Sequence, residues 1–186
     1  MYYEVMRDIY ADFGVLNDPV PRPGLFLRGQ PFTKSLPEPV VFPVSNTDEH
    51  PPRGMEGISV PVWSGALLRC LQGAGVDNLQ VFHAILRNDA GREWRDYCAI
   101  NVLGAVSCMA KSTEATRVTE RPSGMPFVKV HKLVINPTRA AGLELFRLAE
   151  SPTMLLMHQR LLDALDKSAP PGGWGISAMP VAEEQG

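Results

Sequence analysis

The residues of this chain that could perform covalent or metal chemistry are three cysteines (Cys70, Cys98, Cys108) and four histidines (His50, His83, His131, His158). A zinc site needs converging Cys, His or carboxylate ligands, usually with one pair close in sequence. Cys98 and Cys108 are too far apart for a CxxC knuckle, and the histidines are scattered singly. No metal and no cofactor is expected. Cys98 could act as a nucleophile if His83 or His131, on neighbouring strands, lay beside it as a base. Its setting, "YCAINVLGAV", is that of an interior strand, whereas reactive thiols need a polar, partly exposed niche. A buried structural thiol is the expectation, with a cysteine-dependent hydrolase as the alternative. No nucleophile elbow, Walker loop or dinucleotide fingerprint is present, and Gly172-Gly173 reads as a turn.

Arg147 is the other group of interest, set in the apolar run "LELFRLAES". Strand alternation puts it on one face with Leu143 and Leu145, and Phe146 and Leu148 on the opposite face. If the latter pair faces the helices, the arginine stem covers apolar surface on the second face. Its guanidinium then reaches a carboxylate or carbonyl oxygens. An anion site would want more basic neighbours, and only Arg139 is suggestive. Arg147 is expected to be structural.

The elements that must position these groups follow from composition and pattern. With 186 residues, 45% hydrophobic and 20% charged, the chain has the make-up of a soluble globular protein able to bury a core. A net charge of −2 supplies no bulk field for nucleic acid or an anionic membrane. No stretch is apolar for long enough to insert in a membrane, and the charged N-terminus lacks a secretory pattern. Few, odd-numbered cysteines in apolar runs suggest a reducing cytoplasm.

Ten of the 17 prolines fall in the first 61 residues. Proline fixes φ and donates no hydrogen bond, so this third should form only short extended segments, near 2–6 and 38–43, wrapped over a core built elsewhere. Residues 45–57, "SNTDEHPPRGMEG", read as a mobile surface loop. Ser64 should cap a helix with a Leu67, Leu68, Leu71 stripe that Gly75 ends. Residues 78–106 read as a hairpin around Asn88-Asp89-Ala90-Gly91, and residues 126–151 as a second one with "NPTRAAG" as its connection. Ser151 and Pro152 should open a helix over 152–167, with Leu155, Leu161, Leu162 and Leu165 on its apolar side. "GISAMPV" closes the chain as a short strand.

The expected fold is α+β: a mainly antiparallel sheet from two hairpins plus a last strand, two helices against it, and a proline-rich N-terminal extension. One domain over 1–186 is expected, with a proline-rich lobe at 1–60 and the α+β core at 61–186. Recognition should concentrate in loops carrying aromatic and arginine anchors. Two qualify: 45–57, with Asp48, Glu49 and Arg53, and the hairpin tip "RNDAGREWRD", with Arg92, Trp94 and Arg95. Trp94 could equally open its strand and pack inward.

Residues 60–181 carry a series of motifs in order: "VDNLQVFHAIL", "YCAINVLGAVSCMAKS", "KLVINP", "LELFRLAES", "LLMHQRLLDAL" and "GWGISAMPV". Together they resemble the bacterial immunity-protein domain of polymorphic toxin systems, a myxobacterial type first known as a domain of unknown function. Tyr97 and Asn101, the Phe146-Arg147 pair, and Gly175 are the closest matches. The resemblance implies a small cytoplasmic, non-enzymatic protein that binds and neutralises a toxin exchanged between kin cells. It implies no catalytic residues. No nucleic acid and no membrane insertion are expected from the charge and the lack of a long apolar run, no cofactor from the lack of a binding motif, and a scaffold or homo-oligomer is the competing role.

Overall fold

The computed structural model describes residues 1–8, 10, 12–118, 127–140 and 142–184. The first half of the chain forms β1 (Tyr2–Arg7), a 3-10 turn (Pro23–Leu27), β2 (Val40–Pro43), β3 (Met55–Glu56), β4 (Val62–Ser64), α1 (Gly65–Gly73) and β5 (Leu79–Arg87). Then come β6 (Glu93–Val102), β7 (Ala105–Val106), β8 (Glu114–Val118), β9 (Phe127–Lys132), β10 (Val134–Ile135) and a second 3-10 turn (Pro137–Ala140). The chain continues through β11 (Leu145–Leu148), β12 (Leu155–His158), α2 (Gln159–Lys167), β13 (Ile176–Pro180) and β14 (Ala182–Glu183).

Two five-stranded sheets organise the molecule, in the orders β13-β1-β12-β11-β7 and β2-β5-β6-β4-β3. Both are mixed, not mainly antiparallel: β7 joins β11 in parallel, and β2 joins β5 in parallel. Parallel neighbours require a long crossover. Here the chain between β2 and β5 supplies one, folding β3, β4 and α1 on the way.

Strand alternation sorts the apolar residues into three clusters. Between the sheets, Val5, Trp63, Ile100, Val102, Leu145, Leu155 and Met157 pack with Leu67, Leu68 and Leu71 of α1 and Leu161 and Leu165 of α2. The outer face of the second sheet (Phe82, Ala84, Leu86, Tyr97, Ala99) packs against Val15, Val20, Phe26, Phe42 and Val44. The outer face of the first buries Tyr2, Phe146, Leu148 and Leu156 with Cys108 and Ile135. Phe146 and Leu148 therefore turn away from the helices, so the condition that would put Arg147 on the second face is not met, and Leu145 takes the helix-facing side. Leu143 precedes β11 and packs with Phe146, so alternation does not carry it to the Leu145 face.

The helix at Ser64 forms as its residues dictate. Ser64 Oγ accepts from Leu67 N at 3.2 Å, and Gly75, at φ +96°, ends it in the left-handed region that favours glycine. The hairpin over β5 and β6 forms around Asn88–Gly91, with Asn88 N donating to Arg92 O at 3.1 Å and a bulge between Ala84 and Leu86.

Three expectations are corrected. The N-terminal third is no extension: β1 lies inside the first sheet, between β13 and β12, and Phe26 and Phe42 are fully buried. The second hairpin does not form. β9 pairs with β8, β10 with β14, and β11 with β12 and β7; Pro126 and Ala141 of that stretch lie outside the described residues. The helix over 152–167 starts only at Gln159, capped by His158, because Leu155–His158 is a strand paired on both sides. A short apolar run that is buried on both faces has no periodicity to separate strand from helix. Ser151 and Met154 instead close a tight turn, Met154 N donating to Ser151 O at 2.9 Å.

Arg147 is 2% exposed and donates Nε–H to Phe26 O at 3.1 Å and Nη1–H to Pro152 O at 2.9 Å. It ties the first 3-10 turn and the β11–β12 turn to the sheet through carbonyls, with no carboxylate among its described partners. Arg147→Ala should strip both carbonyls of a charged donor and cost about 2–4 kcal/mol. A denaturant melt of the variant should show this loss; an unchanged midpoint would remove Arg147 from the scaffold.

Candidate partner-binding surface

The loop over 45–54 and the tip of the β5–β6 hairpin lie side by side. Val44 N donates to Arg87 O at 2.9 Å, and Asn88 Nδ2 donates to Asn46 O at 3.0 Å. Across this seam Arg92 Nε lies 3.6 Å from Asp48 Oδ1, and its guanidinium stands 5.8 Å from the Trp94 ring. Trp94 is half-buried and packs its body on the outer-face cluster, so the inward reading holds for part of the ring. Arg95 pairs with Glu93 at 2.5 Å, and Glu93 also accepts from Arg87. The Arg87 hydrogen bond, and then the nearby arginine charges, hold the Glu93 carboxyl below its ordinary range.

The other two expected contact residues, Glu49 and Arg53, line a separate cleft of about 820 Å³. Its walls are Tyr10, Asp12 and Phe13, the loop 46–54, and the turn after α2, with Tyr97 and Glu56 deeper in. Phe13 meets His50 edge-on at 4.6 Å, Trp174 Nε1 donates to Leu165 O at 2.9 Å, and Tyr10 is 86% exposed. Arg53 Nη1 bonds Asp8 Oδ2 at 2.7 Å, and Asp12 and Glu49 at the cleft make no ion pair among the described residues. Sequence reading missed Tyr10, Phe13 and Trp174. The available signal was a tryptophan inside the proline- and glycine-rich stretch "APPGGWG".

The loop 45–57 is less free than its composition suggests. Thr47 and His50 exchange backbone hydrogen bonds at 3.2 Å, and Met55 N donates to Trp174 O at 2.8 Å. A side chain at Gly54 would place its Cβ 2.8 Å from Trp174 Cε3, so only glycine permits this approach. Tyr97 Oη–H reaches Pro52 O at 2.9 Å and Arg53 O at 3.1 Å.

The cysteines and histidines are placed as follows. Cys98 stands opposite His83 in the β5–β6 register, whereas His131 lies on β9 beside Thr116. The His83 ring lies 3.3 Å from Arg95 O, and Cys98 is half-buried against the inter-sheet core. Burial, followed by the Asp96 and Glu38 charges, pushes the Cys98 thiol up. The fully buried Cys108 is pushed up to about 11 by burial and then by Glu150. Among the described residues no three His, Cys, Asp or Glu converge to hold a metal ion.

A family model described as "Immunity protein family (Imm11)" matches residues 3–183. The chain belongs to the Imm11 immunity protein family. The match runs through the N-terminal third as well, beyond the span of the motifs in residues 60–181. No curated protein matches the chain.

Within this Imm11 chain the motif residues share one physical task. Tyr97 bonds carbonyls of Pro52 and Arg53, Asn101 Nδ2 bonds Gln30 O at 2.8 Å, and Arg147 bonds Phe26 O. At Gly175, φ +71°, a Cβ would meet Arg53 Cβ at 2.7 Å. All four residues hold the first third of the chain in place. No helix among the described residues is long and apolar enough to cross a membrane.

A raised thiol pKa keeps sulfur protonated, and so unreactive, through neutral pH. Native-state labelling of Cys98 should be slow near pH 7 and should accelerate only above the ordinary thiol range. Fast labelling at neutral pH would reveal an activated thiolate.

Proposed function

We propose that this protein binds and neutralises a cognate bacterial toxin inside the producing cell, acting by occlusion and not by catalysis. Membership of an immunity protein family over nearly the whole chain carries the reading. The chemistry of the surface supports it. Both cysteines with resolved shifts favour the inert thiol. The near-neutral net charge fits a protein partner better than nucleic acid.

The contact surface we propose is the end where Asp48, Arg92, Trp94 and Arg95 meet, continued by the cleft with Glu49, Arg53, Tyr10 and Trp174. Arginines and aromatics are the residue types in which interface energy concentrates, and here they sit on loops tied to a sheet scaffold. The charges at the seam are paired within the molecule but mostly exposed; the Asp48 side chain is 72% accessible. Such pairs contribute little to stability and are free to exchange partners on docking.

The test is calorimetric titration against the inactivated cognate toxin. Trp94→Ala, and the double change Asp48→Ala with Glu49→Ala, should each weaken binding at least roughly tenfold, about 1.4 kcal/mol. Thermal melts should accompany the Trp94 variant, since part of its ring is buried. Unchanged affinity in both folded variants would move the interface elsewhere, first to the polar side of α2 with Gln159, Asp163 and Asp166.

A further inference from the structure

A second cleft, of about 310 Å³, lies between β1, the β3–β4 connection and the β11–β12 turn, and Arg147 forms part of its wall. A guanidinium carries five N–H donors. Arg147 donates one from Nε and one from Nη1, both to neutral backbone carbonyls. Nη2 has no hydrogen bond, and Arg147 no ion pair, with any described residue. Buried charges are ordinarily paired, because an isolated one loses its hydration without compensation. Burial has pushed the Arg147 pKa down to about 10, with no neighbouring acid restoring it, yet the group still carries its charge at neutral pH.

The acid in the same cleft does not serve as this counterion. Glu56 is 5% exposed, its Oε1 accepts from Arg53 N at 3.0 Å, and its nearest cation is Arg7 at 4.0 Å. Arg7 also lines the cleft and is one-third exposed, which puts a second cation at the mouth. Ser59 and Thr153 line it too.

The geometry points to a carboxylate-binding site in this cleft, with the Nη2 of Arg147 that no described residue occupies as the donor and Arg7 guiding entry. A carboxylate oxygen accepts a short, charge-assisted hydrogen bond from a guanidinium N–H of this kind. A phosphate, with its greater charge, would meet repulsion from Glu56 on the same wall. The volume suits a short carboxylic acid or one Asp or Glu side chain, at the small end of ligand clefts. The carboxylate could be free or presented by a partner. Only the second source rests on the toxin-binding reading.

The experiment is an NMR titration of the labelled full chain with sodium acetate at constant ionic strength, with acetamide as the neutral isostere. The Arg147 Nε–H signal, assigned by its loss in Arg147→Lys, and the Gly57 and Ser59 amides should shift saturably with acetate and stay fixed with acetamide. Inorganic phosphate should bind more weakly. Arg7→Gln should weaken acetate at least roughly fivefold, measured at a temperature where its melting curve shows the variant folded because Arg7 is also the cation nearest Glu56, so the test stands even if Arg147→Lys fails to fold. No saturable shift in the tens of millimolar, or equal shifts with acetamide, would overturn the site. Inactivated toxin distinguishes the sources: toxin that blocks acetate and loses affinity to Arg7→Gln presents the carboxylate itself. Toxin that binds and leaves the acetate shifts unchanged marks the site as one for a free acid. The acetate arm needs no toxin, so the site and the toxin reading can fail separately.

Discussion

Side-chain donors holding the carbonyls of an irregular, proline-rich segment are the interactions on which the rest of this structure depends. Ten prolines in the first 61 residues leave that third with more backbone acceptors than donors. Buried carbonyls must still find partners. Tyr97, Asn101 and Arg147 provide them from strands or strand ends of the two sheets. A related contact joins the sheets themselves: Asn78 Nδ2 donates to Leu103 O at 2.6 Å and Leu145 O at 2.8 Å. The irregular third is thus positioned by side chains whose own places are set by β-ladder register.

Both clefts follow from that arrangement. Each opens where the irregular third meets a regular element, and Glu56, on the short strand β3, lines both. Burial pushes the Glu56 carboxyl up, against the opposing pull of the Arg53 backbone and the Arg7 and Arg53 charges. Loops anchored in this way present aromatic and charged groups without a large ordering cost on binding, which is the condition for tight recognition by a small surface.

The hairpin tip shows how exposed charge is arranged on such a surface. Glu93 gathers Arg87 and Arg95, while Arg92 spans Asp48 and the face of Trp94. Each of these charges already has a partner, and the arginines and Asp48 remain exposed. Arg147 is the opposite case, 2% exposed and answered among the described residues only by carbonyls.

Local chemistry was legible in the residues themselves. Ser64 capping α1, Gly75 ending it, the Asn88–Gly91 hairpin and the extended segments at 2–6 and 38–43 all depend on neighbours in sequence, and they form as read. The structural role of Arg147 was legible from its apolar setting. What depended on distant partners was not. Leu155–His158 is a strand because β1 and β11 flank it, and no periodicity in four buried residues announces that. The parallel placement of β2 and β7, the central position of β1, and the pairing of β9 with β8 are likewise choices among ladders of similar local merit. Tyr10, Phe13 and Trp174 come from segments about 160 residues apart, so only the tertiary structure could place them around one cleft. The sequence alone determined which segments turn, cap or extend, because those preferences are written in side-chain sterics and local hydrogen bonds. Tertiary structure decided which strands pair and which surfaces converge, because burial of apolar faces and satisfaction of carbonyls are properties of the whole packing.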